Sequence, residues 1–312
     1  MVNDNLLVLF PGALGDFICF LPTLAALRRR YGERLAVVAK PTNLTLLPPE
    51  FRVRISIDRR EVADLFADGP LHTSTRHLFS GFARVLSWTG HGDAMFASRL
   101  ANVTQAAVSL FHFRGMEPGE HASAYYARCA GISPAEPSVF VPADAQAWAL
   151  NFWERLGSAP PLVLHAGSGS KRKNWEGMDA LASRWDQSGG RVVLLVGPAD
   201  HTPRTGPRTV TCSAPLSHVA ALLRSAPLYL GNDSGISHLA AIVGTPSVVV
   251  FGPTNPAEWR PLALNTDVVS APTECGQCGA GRFCTHRLSV DRVYASLLRI
   301  SNTIRRVPSH PQ

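Results

Sequence analysis

The sequence predicts an α/β protein with two Rossmann-like domains whose parallel sheets face each other across a central cleft. Three observations carry this reading. Short apolar runs alternate with helical patterns along the chain, and such alternation implies parallel strands joined by right-handed crossovers. The alternation begins at Leu6 and begins afresh at Pro161, giving two similar halves. Between them, Gly131-Ile132-Ser133-Pro134-Ala135-Glu136-Pro137, with Pro142 close behind, has the composition of an interdomain linker. The 312 residues suffice for two domains of ordinary size. The spacing divides them into residues 1–140 and 141–290, with 291–312 as a C-terminal helix and tail.

The first half opens with a strand, Leu6 to Phe10, then a loop Pro11-Gly12-Ala13-Leu14-Gly15-Asp16 and a helix from about Phe17 to Arg30. Strand-like runs follow at Leu35 to Ala39, Val53 to Ile57, Ala94 to Ala97 and Ala106 to Leu110, with helical patterns at Glu61 to Phe66 and Phe82 to Trp88. A helix near Ser123 to Ala130 leads into the linker, and one near Asp144 to Leu156 precedes the second half. There a strand at Pro161 to His165 is followed by a loop, Ala166 to Asn174, and a helix reaching about Trp185. Further strands are expected at Arg191 to Val196, Pro227 to Leu230 and Ser247 to Phe251.

Composition narrows the class. With 46% hydrophobic and 17% charged residues, the chain is globular. The apolar stretch Leu6 to Leu27 is broken by Pro11, Gly12, Gly15, Asp16 and Pro22, which argues against a signal peptide or membrane span. The net charge of +7 is almost all arginine, since only Lys40, Lys171 and Lys173 are lysines. Such a charge suits phosphorylated substrates, nucleic acid or an anionic membrane surface, and no nucleic-acid signature accompanies it. Arg28, Arg29 and Arg30 suit a helix C-terminus, whereas Arg52, Arg54, Arg59 and Arg60 suggest an anionic acceptor or peripheral contact with the cytoplasmic face of a membrane. Six cysteines are too few for a disulfide framework, so reduced thiols in the cytoplasm are expected.

Four constellations carry chemistry. In Tyr229 to Trp259, the turn Gly231-Asn232-Asp233-Ser234-Gly235 joins a strand to a helix on which Ile236, Leu239, Ala240 and Val243 recur at helical spacing. Free N–H groups and the dipole at such a helix start seat a phosphate, with His238 close by as a further donor. Ala166-Gly167-Ser168-Gly169-Ser170-Lys171-Arg172-Lys173-Asn174-Trp175 places hydroxyls and two lysines in a small-residue loop, without the order of a Walker loop. Gly12-Ala13-Leu14-Gly15-Asp16 is not a dinucleotide fingerprint, and it sets a carboxylate after the first strand. That carboxylate either caps the helix at Phe17 or works at the cleft. Cys275, Cys278, Cys284 and His286 offer three thiols and an imidazole for a structural metal, although the second paired knuckle of a zinc site is missing. No Asp-x-Asp pair occurs, so a departing diphosphate would be neutralised by Lys173, hydroxyls and helix N-termini, with no cofactor required.

Taken in order, LLVLFPGALGDFICFLPTLAALRRRYG, LVLHAGSGSKRKNW, VVLLVGPAD, NDSGISHLAAIVGTPSVVVFGPTNPAEWRP and CGQCGAGRFCTHRLSVDRVYASL resemble glycosyltransferase family 9, the ADP-heptose:lipopolysaccharide heptosyltransferases. The resemblance implies a GT-B fold, with an acceptor-binding N-terminal half and a C-terminal half that holds the nucleotide-sugar. It implies that Asp16 is the catalytic base and that Lys173, Asp233, Gly235 and His238 contact the donor. Asp200, in Gly197-Pro198-Ala199-Asp200, would lie near the nucleoside. The candidate donor-binding set is completed by Gly12, Ala13, Ser168, Ser170 and Ser234. The segment Phe10-Pro11-Gly12-Ala13 departs from the family's basic or serine-rich approach, and residues 41–115 match no acceptor motif.

The expected activity is therefore an inverting, metal-independent transfer of a heptose or related sugar from an ADP-sugar to a glycan or lipid-linked acceptor. The alternatives are a nucleotide-sugar epimerase on the same scaffold, or a non-catalytic metal- or anion-binding protein built on the Cys275–His286 cluster. Nucleic acid is not an expected partner.

Overall fold

The computed structural model describes residues 4–157, 161–197, 206–270 and 285–306. The chain divides after Phe140 into two compact units.

The first unit runs β1 (Leu6–Leu9), α1 (Leu14–Tyr31), β2 (Leu35–Ala39), α2 (Pro41–Leu44), β3 (Val53–Ser56), α3 (Arg60–Ala63), α4 (Thr73–Phe79), β4 (Arg84–Ser87), α5 (Ala94–Thr104), β5 (Ala107–Leu110) and α6 (Ala122–Ala130). Its strands form a sheet of order β3-β2-β1-β4-β5, with every described pairing parallel. Leu6 lies opposite both Leu35 and Arg84, so β1 is central and buried on both faces. That is why Leu6-Leu7-Val8-Leu9 reads as an unbroken apolar run. Leu7 and Leu9 join Val38, Val85, Phe96 and Leu100 in one core cluster. An aromatic cluster is built around Phe10, whose ring stacks on Phe20 at 4.2 Å and meets Trp88 and Tyr126 edge-on. Tyr126 comes from α6, which packs along α1.

Two elements of this unit differ from the sequence expectation. Residues Phe82 to Trp88, expected to be helical, contain β4. Val85, Leu86, Ser87 and Trp88 are all buried, and a strand covered on both faces has no period that separates it from a helix. Ala94 to Ala97, expected as a strand, opens α5 instead. Asp93 caps that helix by accepting the Phe96 N–H at 2.9 Å, and Phe96, Leu100 and Val103 follow at helical spacing. The proline-rich segment is also tied down. Ala135 donates its N–H to the Pro22 carbonyl at 3.0 Å and Phe140 to Leu46 at 2.9 Å, both within the first unit.

The second unit runs α7 (Ala143–Leu156), β6 (Pro161–His165), α8 (Met178–Gln187), β7 (Arg191–Leu195), β8 (Thr209–Cys212), α9 (Leu216–Arg224), β9 (Tyr229–Asn232), α10 (Gly235–Ile242), β10 (Ser247–Phe251), α11 (Pro256–Trp259), β11 (Thr266–Ser270) and α12 (Val290–Arg306). Its sheet has the order β11-β10-β9-β6-β7-β8, again parallel in every described pairing. Counted from β6 this is the doubly wound order 3-2-1-4-5-6, whose winding reverses between β6 and β9. A ligand is expected outside the carboxyl ends of those two strands. The sequence reading did not include β8, α9 or β11. It also ended its third strand, Pro227 to Leu230, two residues short, since Gly231 and Asn232 are strand residues of β9. Helix α12 packs on β10, β11 and α8, which makes it part of this unit.

Candidate functional site

In the first unit the candidate site residues lie where β1 gives way to α1. The helix begins at Leu14, three residues before the expected start, and Ala13 precedes it without a side-chain cap. Asp16 is therefore not a cap. It is a first-turn residue, where the positive end of the helix favours its charge. Gly12 makes this corner possible. A side chain there would drive into the Phe10 ring and approach the Asp16 Cβ to 2.8 Å. The Gly12 carbonyl is held by the buried Asn43 amide at 3.0 Å, from α2.

Asp16 is 6% exposed. Its Oδ1 accepts from Arg114 Nη2 at 3.2 Å, while Oδ2 takes no hydrogen bond among the described residues. Nearby, the buried Tyr126 hydroxyl has no hydrogen-bond partner among the described residues. Burial first, and the Asp16 charge second, push its phenol strongly up, so it stays neutral. A carboxylate with one oxygen anchored and the other open is equipped to accept a proton from a hydroxyl.

In the second unit three segments meet at the carboxyl ends of β6, β9 and β10. The loop after β6 is stapled to β9 by Asn232, which accepts the Trp175 N–H at 3.0 Å and donates to the Ala166 carbonyl at 2.7 Å. Trp175 is also fixed through its indole N–H, which donates to the Leu288 carbonyl at 3.0 Å. The loop thus presents Lys173, whose Nζ bonds Asp233 Oδ2 at 2.7 Å. Thr254, after β10, donates to the same oxygen. An ammonium has three donors, so the bond to Asp233 leaves two for an anion. Behind Lys173 the chain crosses Gly252, where an added Cβ would sit 3.7 Å from the Lys173 Cα and 2.8 Å from Thr285.

Ser234 is the N-cap of α10, accepting the Ser237 N–H at 3.4 Å, and its Oγ lies 3.3 Å from His165 Nδ1. Gly235 is the first helical residue, and His238, 4% exposed, belongs to the first turn. None of Gly231 to Gly235 has a positive φ. The small residues serve close packing, for a Cβ on Gly231 would strike the Tyr229 phenol and approach Ser237 Oγ to 2.8 Å. Ser168 spends its hydroxyl within the loop, 2.6 Å from both the Ser170 carbonyl and Asn174 Oδ1, and Ser170 is exposed. Beside α10 a slot of about 160 Å³ is lined by His165, Val196, Gly197, Cys212, Val219 and Ile236. Burial pushes the Cys212 thiol up, so it lines the slot as a neutral group.

The structure thus brings Lys173, Asp233, Ser234, Gly235 and His238 to one corner, and places Gly12, Ala13 and Asp16 together in the other unit. Asp200, Cys275, Cys278 and Cys284 lie outside the described residues, as does the side chain of His286. Among the described residues, no group of three or more His, Cys, Asp or Glu side chains is arranged to hold a metal.

The arginines expected to form an anionic-surface contact each have a partner within the first unit. Arg52 pairs with Glu33 at 2.9 Å, Arg54 donates to the Phe51 and Pro48 carbonyls at 2.7 Å, Arg59 pairs with Glu61 at 3.0 Å and Arg60 meets His72 at 2.8 Å. No described helix is long and apolar enough to cross a membrane. Asn43, Arg114, Asn232 and Thr254 were not singled out as site residues from the sequence. Asn232 and Thr254 fall inside or beside recognised motifs, whereas Asn43 and Arg114 lie in a region with no motif signal.

Comparison with known proteins bears on the family and the fold. The family model for glycosyltransferase family 9 (heptosyltransferase) matches residues 143–282. Lipopolysaccharide heptosyltransferase 3 of Escherichia coli is 33% identical over 99 residues, covering 28% of this chain and 28% of that protein. The match thus spans well under a third of the length of that curated relative. Among solved structures, a family 9 glycosyl transferase from Veillonella parvula superposes with a TM-score of 0.73 at 19% identity, over 97% of this chain and 99% of that one. The E. coli ADP-heptose lps heptosyltransferase II gives 0.71 at 18% identity, over 96% and 99%. These two show the fold, a pair of parallel-sheet α/β units of GT-B type. Residues 143–282, with Lys173, Asp233 and the start of α10 among them, thus match the glycosyltransferase family 9 (heptosyltransferase) model, in line with the resemblance read from the sequence.

Proposed function

We propose that the protein is an inverting glycosyltransferase that moves a heptose, or a closely related sugar, from an ADP-sugar to a glycan acceptor of lipopolysaccharide-core type. The observation that carries this is the Lys173–Asp233 pair at the N-terminus of α10, within the family 9 segment and beside a slot of nucleobase size. The E. coli heptosyltransferase WaaC has been solved with ADP, a ligand of the same kind.

In this reading the base of the nucleotide enters the slot and the diphosphate lies against α10, Lys173 and the backbone of the 166–174 loop. The acceptor hydroxyl hydrogen-bonds Asp16 Oδ2. Its oxygen attacks the anomeric carbon as the bond from that carbon to the diphosphate breaks. The proton passes to Asp16, and ADP leaves with its new charge stabilised by Lys173 and the helix N-terminus. The absence of an Asp-x-Asp pair from the sequence supports a cation- and dipole-based site without a required metal. We place the reaction in the cytoplasm, with any membrane contact peripheral.

Calorimetric titration with ADP-heptose, ADP, UDP-glucose and GDP-mannose, with and without EDTA, tests the donor assignment. Binding restricted to the ADP ligands and indifferent to EDTA is expected. A preference for UDP or GDP, or a loss with EDTA, would overturn it. Product analysis by NMR separates transfer from epimerisation, which needs no acceptor.

A further inference from the structure

We infer that Arg114 is the residue that positions the catalytic base: it anchors one oxygen of Asp16 so that the other is presented to the acceptor hydroxyl. The inference rests on the reading of Asp16 as the base and adds a residue from a stretch that carries no recognisable motif.

The geometry is asymmetric. Arg114 Nη2 lies 3.2 Å from Oδ1, and Oδ2 takes no hydrogen bond among the described residues. Asp16 is nearly buried, whereas the Arg114 side chain is 59% exposed. An exposed arginine is normally too mobile to orient anything, yet this one rises from a pinned segment. Its backbone N–H bonds His112 Nδ1 at 3.2 Å. The preceding His112 carbonyl accepts the Tyr125 hydroxyl, from α6. On the other side Gly115 lets the same phenol approach, since a Cβ there would come within 2.8 Å of it. Burial pushes the Tyr125 phenol up, so this clamp stays a donor. Because α6 packs along α1, the helix that carries Asp16 also holds, through Tyr125, the segment that carries its anchor. The planar guanidinium fixes a carboxylate oxygen in direction as well as in distance.

The test uses the full chain, with ADP-heptose as donor and a deacylated lipopolysaccharide-core oligosaccharide as acceptor. Arg114→Ala is expected to lower kcat about 10²-fold while acceptor KM stays within about twofold, as a misdirected catalytic group does. Arg114→Lys should keep the charge, lose the planar, direction-fixing guanidinium and recover only part of the turnover. Guanidinium ion added to Arg114→Ala should restore turnover, which no purely structural role predicts. A raised acceptor KM at unchanged kcat would instead make Arg114 a binding residue and overturn the inference. Crystal structures of the wild type and Arg114→Ala decide the matter without any activity. A carboxylate that leaves its wild-type position supports positioning, and an unmoved one refutes it. Absence of transfer by the wild type would count against the proposed reaction alone.

Discussion

The corner after β1 and the corner after β6 occupy the same place in two sheets of the same winding, yet they are built for opposite charges. After β1 the chain takes only four residues, Phe10 to Ala13, before α1 begins, so a carboxylate lands in the first turn of a helix. After β6 it takes twelve, residues 166 to 177, and the loop has room to carry a lysine back over the sheet. The helix start that Lys173 meets in that unit is then the one after β9, where Asp233 and Ser234 lead into α10. Loop length therefore decides the chemistry that each switch point offers. A short link fixes an anion beside a helix, and a long one brings a cation to a helix that stays open to phosphate.

The largest effect should come from removing the anion. Asp16→Asn keeps the shape but cannot take a proton, and transfer is expected to fall about 10³-fold with the Kd for ADP unchanged. Near-normal turnover in that variant would break the comparison at its first term. Removing the cation should act differently. Lys173→Ala takes a donor from the departing diphosphate and leaves Asp233 unneutralised beside it, so turnover should drop about 10²-fold and ADP binding should weaken as well. Loss of turnover with intact ADP affinity would mean that Lys173 acts on the sugar or the acceptor instead.

The same contrast explains what could be read beforehand. The second corner was legible because its residues are contiguous in two short motifs, and each motif sits at the end of a strand with a clear apolar run. Asp16 was legible for the same reason. Arg114 was not, because it lies 98 residues from its partner and nothing in its neighbourhood marks the contact. Among the elements, β4 was misread because burial on both faces erased its period. β8 and β11, edge strands with one fully buried residue each, were missed, although β3 and β5, the edges of the other sheet, were read. Motif residues report themselves locally, whereas long-range partners are fixed by topology.

A control for Asp16 exists in the same unit. Asp64 is also buried near an arginine, but it is saturated: Oδ2 accepts the Thr75 hydroxyl at 2.6 Å and the His72 N–H at 3.0 Å, and Arg99 lies 3.6 Å from Oδ1. The Thr75 hydrogen bond, aided by His72 and Arg99, holds its carboxyl below the usual range. Such a group stabilises the fold fully above the unfolded carboxylate value of about 4, and that contribution is lost as pH falls through the lower folded value. Asp64→Ala should cost about 3 kcal/mol near neutral pH by leaving the Arg99 charge without its carboxylate and the Thr75 hydroxyl and His72 N–H without an acceptor, with the gap to wild type closing in acid. Chemical denaturation at pH 7 and pH 3 measures this, and an equal gap at both would show that packing, not charge, is lost.

The smallest effects distinguish how tightly each loop is built. At Gly12 an added methyl has nowhere to go, since Phe10 is stacked behind it and the Asp16 Cβ lies 2.8 Å away. Gly12→Ala should cost about 1–3 kcal/mol of stability, and any relief by shifting the helix start should carry Asp16 away from Arg114 and lower turnover too. Gly169, in the long loop, has nothing within 4 Å of an added Cβ and no positive φ. Gly169→Ala should change stability by less than about 0.5 kcal/mol. Its effect on ADP affinity then isolates the backbone's role. An unaltered Kd means that Lys173 alone carries the loop's contribution, and a weakened one means that the phosphate rests against the Gly169 backbone, where only a hydrogen leaves room.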